Sequence, residues 1–197
     1  MGHAMLISKA VNFVQRLAMG LASRWRNLFY RAMGVRMHGY MWMRAVEIPR
    51  DHNNIELTSC SLDRGVVLLC SGPPSDQVKL SIGHGTYINR HTFVDVIESL
   101  TIGANVAIGP GCYITDHDHG VDPNRPVLQQ EMVSQPTRIE DDAWIGAHVV
   151  ILKGVTIGHR TIVGAGSVVT KSLPSDVIAV GVPAKAIRAR SLPTTQP

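Results

Sequence analysis

The sequence predicts an all-β fold, a coil of short parallel strands with one amphipathic α-helix ahead of it, on three observations. Apolar residues recur every six positions through the second half of the chain. The 197 residues include 18 Gly but only 5% aromatics, so the core is built of Ile, Val and Ala rather than of rings, which suits narrow, regular β structure. One N-terminal stretch follows a three- and four-residue period instead.

That stretch comes first. Over residues 6–33 apolar residues fall at Ile7, Ala10, Val11, Val14, Ala18, Leu21, Trp25, Leu28, Phe29 and Ala32. Lys9, Asn12, Arg16, Ser23, Asn27 and Arg31 take the other side, and Gly34 is the expected stop. The first 46 residues hold seven Lys or Arg and no acid, whereas the rest of the chain is net acidic. Two readings of the helix stand. It packs on the end of the main domain or on a sister subunit, or it lies in a membrane interface with its basic side toward anionic headgroups. No run reaches the ~20 apolar residues of a membrane span, and Arg16 interrupts the best candidate, so neither a span nor a signal peptide is expected. The charge comes without stacking aromatics in a recognisable module, so nucleic acid is not an expected partner.

Residues 45–80 are irregular and are read as degenerate strands, with Gly72-Pro73-Pro74 marking a loop. Then the six-residue beat sets in: Ile82, Ile88, Val94; Ile102, Ile108, Ile114; Ile139, Ile145, Ile151, Ile157, Val163, Val169. A period of six matches neither a helix nor a heptad. Each hexapeptide forms one flat face and one corner, three close a triangular turn, and stacked turns pair their backbones. The restarts mark irregular corners. Eight residues separate Val94 from Ile102, and twenty-five separate Ile114 from Ile139, so a loop over 115–138 leaves the coil and returns. Loops of that length inside a compact domain usually carry function. The expected organisation is a helical extension over 1–44, the coil over 45–190 and a tail over 191–197.

The loop opens with Asp116-His117-Asp118-His119. Such residues serve either as general acid–base groups or as metal ligands, with His84 and His91 the candidate partners for zinc. Cys60, Cys70 and Cys112 form no CxxC and are read as reduced, buried thiols, which favours a reducing compartment.

The segments "IGPGCYITDHDHG", "IEDDAWIGAHVVILKGVTIGHRTIVGAGSVVTKSLP" and "AVGVPAKAIR" resemble the hexapeptide-repeat acyltransferases, over about residues 80–190. The branch they are most similar to holds the galactoside, maltose and polysaccharide O-acetyltransferases. The resemblance implies a left-handed parallel β-helix, a handedness that the usual right-handed crossover rule would not give. It implies acetyl-CoA as co-substrate, no metal, a sugar or glycan hydroxyl as acceptor, a homotrimer with sites between subunits, and a cytoplasmic location, at the inner face of the membrane if the helix binds lipid. A histidine five residues past an inward beat is the family's general base, which is His119 here. His117 is a second candidate for the base or a substrate contact. Asn89 and Asp95 match acceptor-side positions, or else bond their own corners. Trp144 walls the pantetheine arm or is structural. Ala147 and Ala165 leave room for that arm, and Thr170, Lys171 and Arg188 match positions near the CoA phosphates. The rival functions are a zinc hydratase of the gamma carbonic anhydrase type, built on the same fold, and a non-enzymatic scaffold.

Overall fold

The computed structural model describes residues 2–190; the tail at 191–197 lies outside the described residues. Its strands form three faces of a prism. The first face stacks Arg36–His38, Ile55–Thr58, Leu80–Ile82, Leu100–Ile102, Thr137–Ile139 and Thr156–Ile157, all parallel. The second stacks Trp42–Met43, Ser61–Leu62, Tyr87–Ile88, Ala107–Ile108, Trp144–Ile145, Ile162–Val163 and Val177–Gly181, and Ala184–Ala189 folds back antiparallel on the last of them. The third stacks Val67–Cys70, Phe93–Val96, Tyr113–Thr115, Val150–Ile151 and Val168–Val169. Successive turns of the chain visit the faces in that order.

The six-residue beat builds the core. One inward ladder runs Leu57, Ile82, Ile102, Ile139, Ile157; a second Met43, Leu62, Ile88, Ile108, Ile145, Val163, Ala179; a third Leu68, Val94, Ile114, Ile151, Val169, all buried. Each buried Ile contributes roughly 2–3 kcal/mol of transfer free energy, and each rung pairs its backbone with the rungs on both sides.

The outward residues differ from face to face. The first face presents Arg36, Glu56, Ser81, Thr101 and Arg138. The second presents Tyr87, Ala107, Trp144 and Ile162, and the third Val67, Phe93, Tyr113, Val150 and Val168, with the Phe93 and Tyr113 rings stacked at 5.9 Å. One face is polar and two are apolar.

The helix spans Gly2–Ala32. Gly34 stops it with φ +107°, while the Gly34 amide donates to Arg31 O and the Val35 amide to Tyr30 O, the paired bonds of a Schellman cap. The coil then starts at Arg36, ahead of residue 45, where the sequence pattern puts its first strand. Ser23 and Asn27, expected on the side away from the apolar stripe, are buried against this first turn. Asn27 Nδ2 donates to Met41 O at 2.7 Å, its Oδ1 accepts the Met41 amide at 2.9 Å, and Ser23 Oγ accepts the Met43 amide at 3.0 Å. Tyr30 OH donates to Val46 O at 2.8 Å. The reason is the open end of the coil. A first turn has no earlier turn to pair with, so its amides and carbonyls need polar side chains rather than leucines.

Candidate active site

The corner joining the third face to the first is where the regular turns are broken. The Val94–Ile102 spacing leaves Ile97, Glu98 and Ser99 in an enlarged corner whose amides point to one carboxylate. Asp116 Oδ1 accepts from Ile97 N at 2.9 Å, and Oδ2 accepts from Glu98 N at 2.8 Å and Ser99 N at 2.7 Å. Asp116 is fully buried. It is the first residue after the strand Tyr113–Thr115, so the corner of one turn anchors the root of the loop that leaves the next.

The loop itself runs over 116–136, since Thr115 and Thr137 still lie in strands. His117–His119 and Met132–Ser134 pair as an antiparallel ribbon, and Gln130 closes the tip with bonds to the Asp122 amide, Asp122 O and Arg125 O.

His117 sits at the ribbon's base with its side chain 9% exposed. Its Nδ1 is 3.0 Å from Asp116 Oδ1 and 3.1 Å from Thr115 Oγ1. A carboxylate oxygen accepts only, so Nδ1 carries the hydrogen in that contact, and in the neutral imidazole the lone pair is then on Nε2. Nε2 faces Asp95 Oδ2 at 3.8 Å, beyond hydrogen-bonding distance. Burial pushes the Asp95 carboxyl up; His117 and the Tyr113 hydroxyl, 3.4 Å away, pull it partly back. His119, two residues on, is exposed and makes no side-chain hydrogen bond within the described residues. Asp118 pairs with Lys153 at 3.2 Å. Asp95, Asp116 and His117 are therefore brought together, and His119 stands apart from them. A cleft of about 310 Å³ lies beside this corner, lined by Pro73, Gln77, Lys79, Ile97, Glu98 and Ser134.

The sequence motif marks Asp116 as an acid–base group or metal ligand and carries no sign of its three amide donors. The signal that points to them is the eight-residue spacing one turn before the loop.

The other predicted residues lie along two corners and a face. Asn89, Ala147 and Ala165 line the corner between the second and third faces; Asn89 Oδ1 accepts from its neighbour Arg90 N at 2.8 Å. Turns approach closely here: a Cβ on Gly146 would lie 2.5 Å from Ala165 N. Thr170 and Lys171 are exposed on the loop corner, two turns past His117, about 10 Å along the axis at the ordinary strand spacing. Trp144 faces outward from the second face, 55% exposed, and so is not a buried structural ring; Arg188 is exposed on the terminal strand of the same face, separated from Trp144 by the strands of Ile162 and Ile178. One chain thus carries these residues on both edges of its third face and on its second, without joining them in one pocket.

Neither thiol chemistry nor a ligand cluster competes at this corner. Cys60, Cys70 and Cys112 are buried; burial pushes the first two thiols up to about 12 and raises the third, whose Sγ lies 3.1 Å from Gly146 O. Among the described residues no group of three or more His, Cys, Asp and Glu is arranged to hold a metal, and His84 and His91 sit at other corners.

Comparison with known proteins adds the family. Residues 136–171 match the model of the bacterial transferase hexapeptide, six repeats. The galactoside O-acetyltransferase of Escherichia coli is 41% identical over 109 residues, 55% of this chain and 53% of that protein. A putative lipopolysaccharide biosynthesis O-acetyl transferase of the same organism is 37% identical over 109 residues, 51% of this chain and 56% of that one. The chain thus spans about half the length of the curated relatives it matches. A hexapeptide-repeat-containing acetyltransferase of Vibrio cholerae, solved in complex with acetyl coenzyme A, is 38% identical over 62% of this chain and 68% of that one, with a TM-score of 0.55. With the six-residue ladders, the triangular coil and this likeness together, the chain belongs to the hexapeptide-repeat acyltransferase family, and its prism is the left-handed parallel β-helix.

Proposed function

We propose that this protein transfers the acetyl group of acetyl-CoA directly to a hydroxyl of a sugar or glycan, with His117 as general base. The observation that carries the reading is the Asp116–His117 pair, 3.0 Å apart, with Asp116 held by three amides. A hydroxyl is a weak nucleophile near neutral pH. An imidazole whose Nδ1 hydrogen is fixed on a buried carboxylate has Nε2 free to take the hydroxyl proton as the oxygen attacks the thioester carbonyl. Collapse of the tetrahedral intermediate breaks the C–S bond, and the imidazolium returns the proton to the CoA thiolate. No acyl-enzyme is needed, and the buried, elevated thiols favour none. The family spacing gives the base to His119; the packing around His117 is the reason to place it there instead.

Acetyl-CoA as donor rests on the Vibrio relative, described in complex with it, and on Thr170, Lys171 and Arg188 as cations and donors for the CoA phosphates. A glycan acceptor rests on the names of the two curated relatives and on Gln77, Lys79, Glu98 and Ser134 in the cleft beside the loop corner. Trp144 and Arg188 occupy the second face, whereas His117, Thr170 and Lys171 edge the third. A complete site therefore calls for the second face of one copy against the third face of another, as in a homotrimer. The two apolar faces support that arrangement.

The test is acetyl-CoA turnover against free sugars, nucleotide sugars and oligosaccharides, with His117→Ala and His119→Ala alongside the wild type. Acceptor-dependent release of CoA that is lost in the His117 variant supports the proposal. A wild type that neither binds nor consumes acetyl-CoA overturns it.

A further inference from the structure

The N-terminal helix has two faces, and the coil uses only one of them. Ser23, Asn27 and Tyr30, spaced four and three apart, dock on the first turn of the coil. Val14, Leu17, Leu21, Trp25 and Leu28, again three and four apart, lie on the opposite side and are 55–67% exposed. Residues 11–18 are exposed all round, so the first half of a helix about 46 Å long projects beyond the coil. A contiguous stripe of that size is unusual on a water-facing helix that has other means of docking.

Charge decides what covers it. Arg24 and Arg31 border the stripe, Lys9, Arg16 and Arg26 lie further round the same helix, and the first 46 residues contain no Asp or Glu. Among the described residues none of these five is in an ion pair; Arg26 and Arg31 reach only the neutral carbonyls of Met43 and Gly39. Two copies packed stripe to stripe would bring like charges together. An anionic surface accepts both the cations and the apolar side chains. The flank facing the coil adds a groove of about 260 Å³ between Met19, Ala22 and Met43, rimmed by Arg26, Arg44 and Arg64, which repeats the same pattern of apolar floor and cationic rim. Among the described residues no helix is long and apolar enough to cross a membrane.

We propose that this helix lies in the headgroup region of an anionic lipid bilayer, with Leu17, Leu21, Trp25 and Leu28 inserted and the flanking cations on the phosphates, while Ser23, Asn27 and Tyr30 keep the coil attached. The inference does not depend on the acetyl-transfer reading, and its test does not use activity. The full chain is sedimented with vesicles of equal parts phosphatidylcholine and phosphatidylglycerol, and with vesicles of phosphatidylcholine alone. Leu21→Ser with Trp25→Ser removes insertion, and Arg16→Glu with Arg24→Glu reverses charge; none of the four residues makes a docking bond to the coil. Circular dichroism and analytical ultracentrifugation of each variant verify fold and oligomeric state. The wild type should pellet with the anionic vesicles only, less so at high salt. Both double variants should lose more than about tenfold in partitioning, at roughly fivefold for each arginine removed. A wild type that stays in the supernatant, or variants that pellet as it does, overturn the proposal. So does an oligomer that falls apart on the Leu21 and Trp25 substitutions without lipid, which would mark the stripe as a contact between copies.

Discussion

Nδ1 of His117 lies 3.0 Å from Oδ1 of Asp116, and the same carboxylate takes the amides of Ile97, Glu98 and Ser99. A bond made to four donors leaves no freedom in which way the imidazole turns. Asp116→Asn replaces one acceptor oxygen with an NH₂ that must face either an amide or the imidazole. We expect turnover to fall about a hundredfold or more while the Michaelis constant for acetyl-CoA changes little, because the residues assigned to its phosphates lie away from Asp116. Steady-state kinetics with each substrate varied in turn reads both quantities.

Lys171→Ala and Arg188→Ala should act the other way. Phosphates remote from the thioester are held equally in ground and transition states, so losing a cation raises the Michaelis constant for acetyl-CoA about tenfold or more and leaves turnover at saturation nearly intact. An acetyl-CoA saturation series decides it; unchanged saturation in both variants would remove these residues from the donor site.

Gly146 is a packing requirement of the corner that carries Ala147 and Ala165. A Cβ there would meet Ala165 N at 2.5 Å, and backbone cannot rotate away as a side chain can. Gly146→Ala should destabilise by about 1–3 kcal/mol through the forced shift of the next turn. Thermal unfolding followed by circular dichroism measures this, as a fall of several degrees in Tm.

Asp63 gives a pH dependence with a definite sign. Burial pushes its carboxyl up, but the Arg64 amide, Arg90, the Tyr87 hydroxyl and Arg44 together outweigh that and hold it below the ordinary value. A carboxyl lowered by folding contributes stability above the unfolded pKa of ~3.9, and that stability is lost as pH falls through the folded value. Asp63→Asn should lower Tm at neutral pH, and the gap to wild type should close below about pH 4. Tm measured across that range tests it.

The turns from Ile82 to Val169 were legible because one residue type recurs at one interval, and a narrow prism admits no other reading. The first turns were not. Met37, Met43, Leu57, Leu62 and Leu68 fill the same inward ladders, but the step between Leu57 and Leu62 is five, and the corner after Cys70 carries the Gly72-Pro73-Pro74 loop, which hides the period. Ser23 and Asn27 were assigned outward by polarity alone. Their burial follows from the unpaired edge they cover, which only the end of a coil presents. At the site, spacing located the loop and its histidines. It could not tell His117 from His119, because that difference lies in the enlarged corner at 97–99, contributed by the previous turn.

If His117 removes the acceptor's proton, losing it stops the transfer and spares donor binding. The most direct measurement is the acceptor-dependent rate of CoA release at saturating acetyl-CoA for His117→Ala and His119→Ala, beside acetyl-CoA affinity for each by calorimetry. The expected result is a loss of about a hundredfold or more for His117→Ala and less than about tenfold for His119→Ala, with affinity unchanged in both. A His117→Ala protein that keeps its rate while His119→Ala loses it would rule out His117 and return the base to the ribbon's exposed histidine.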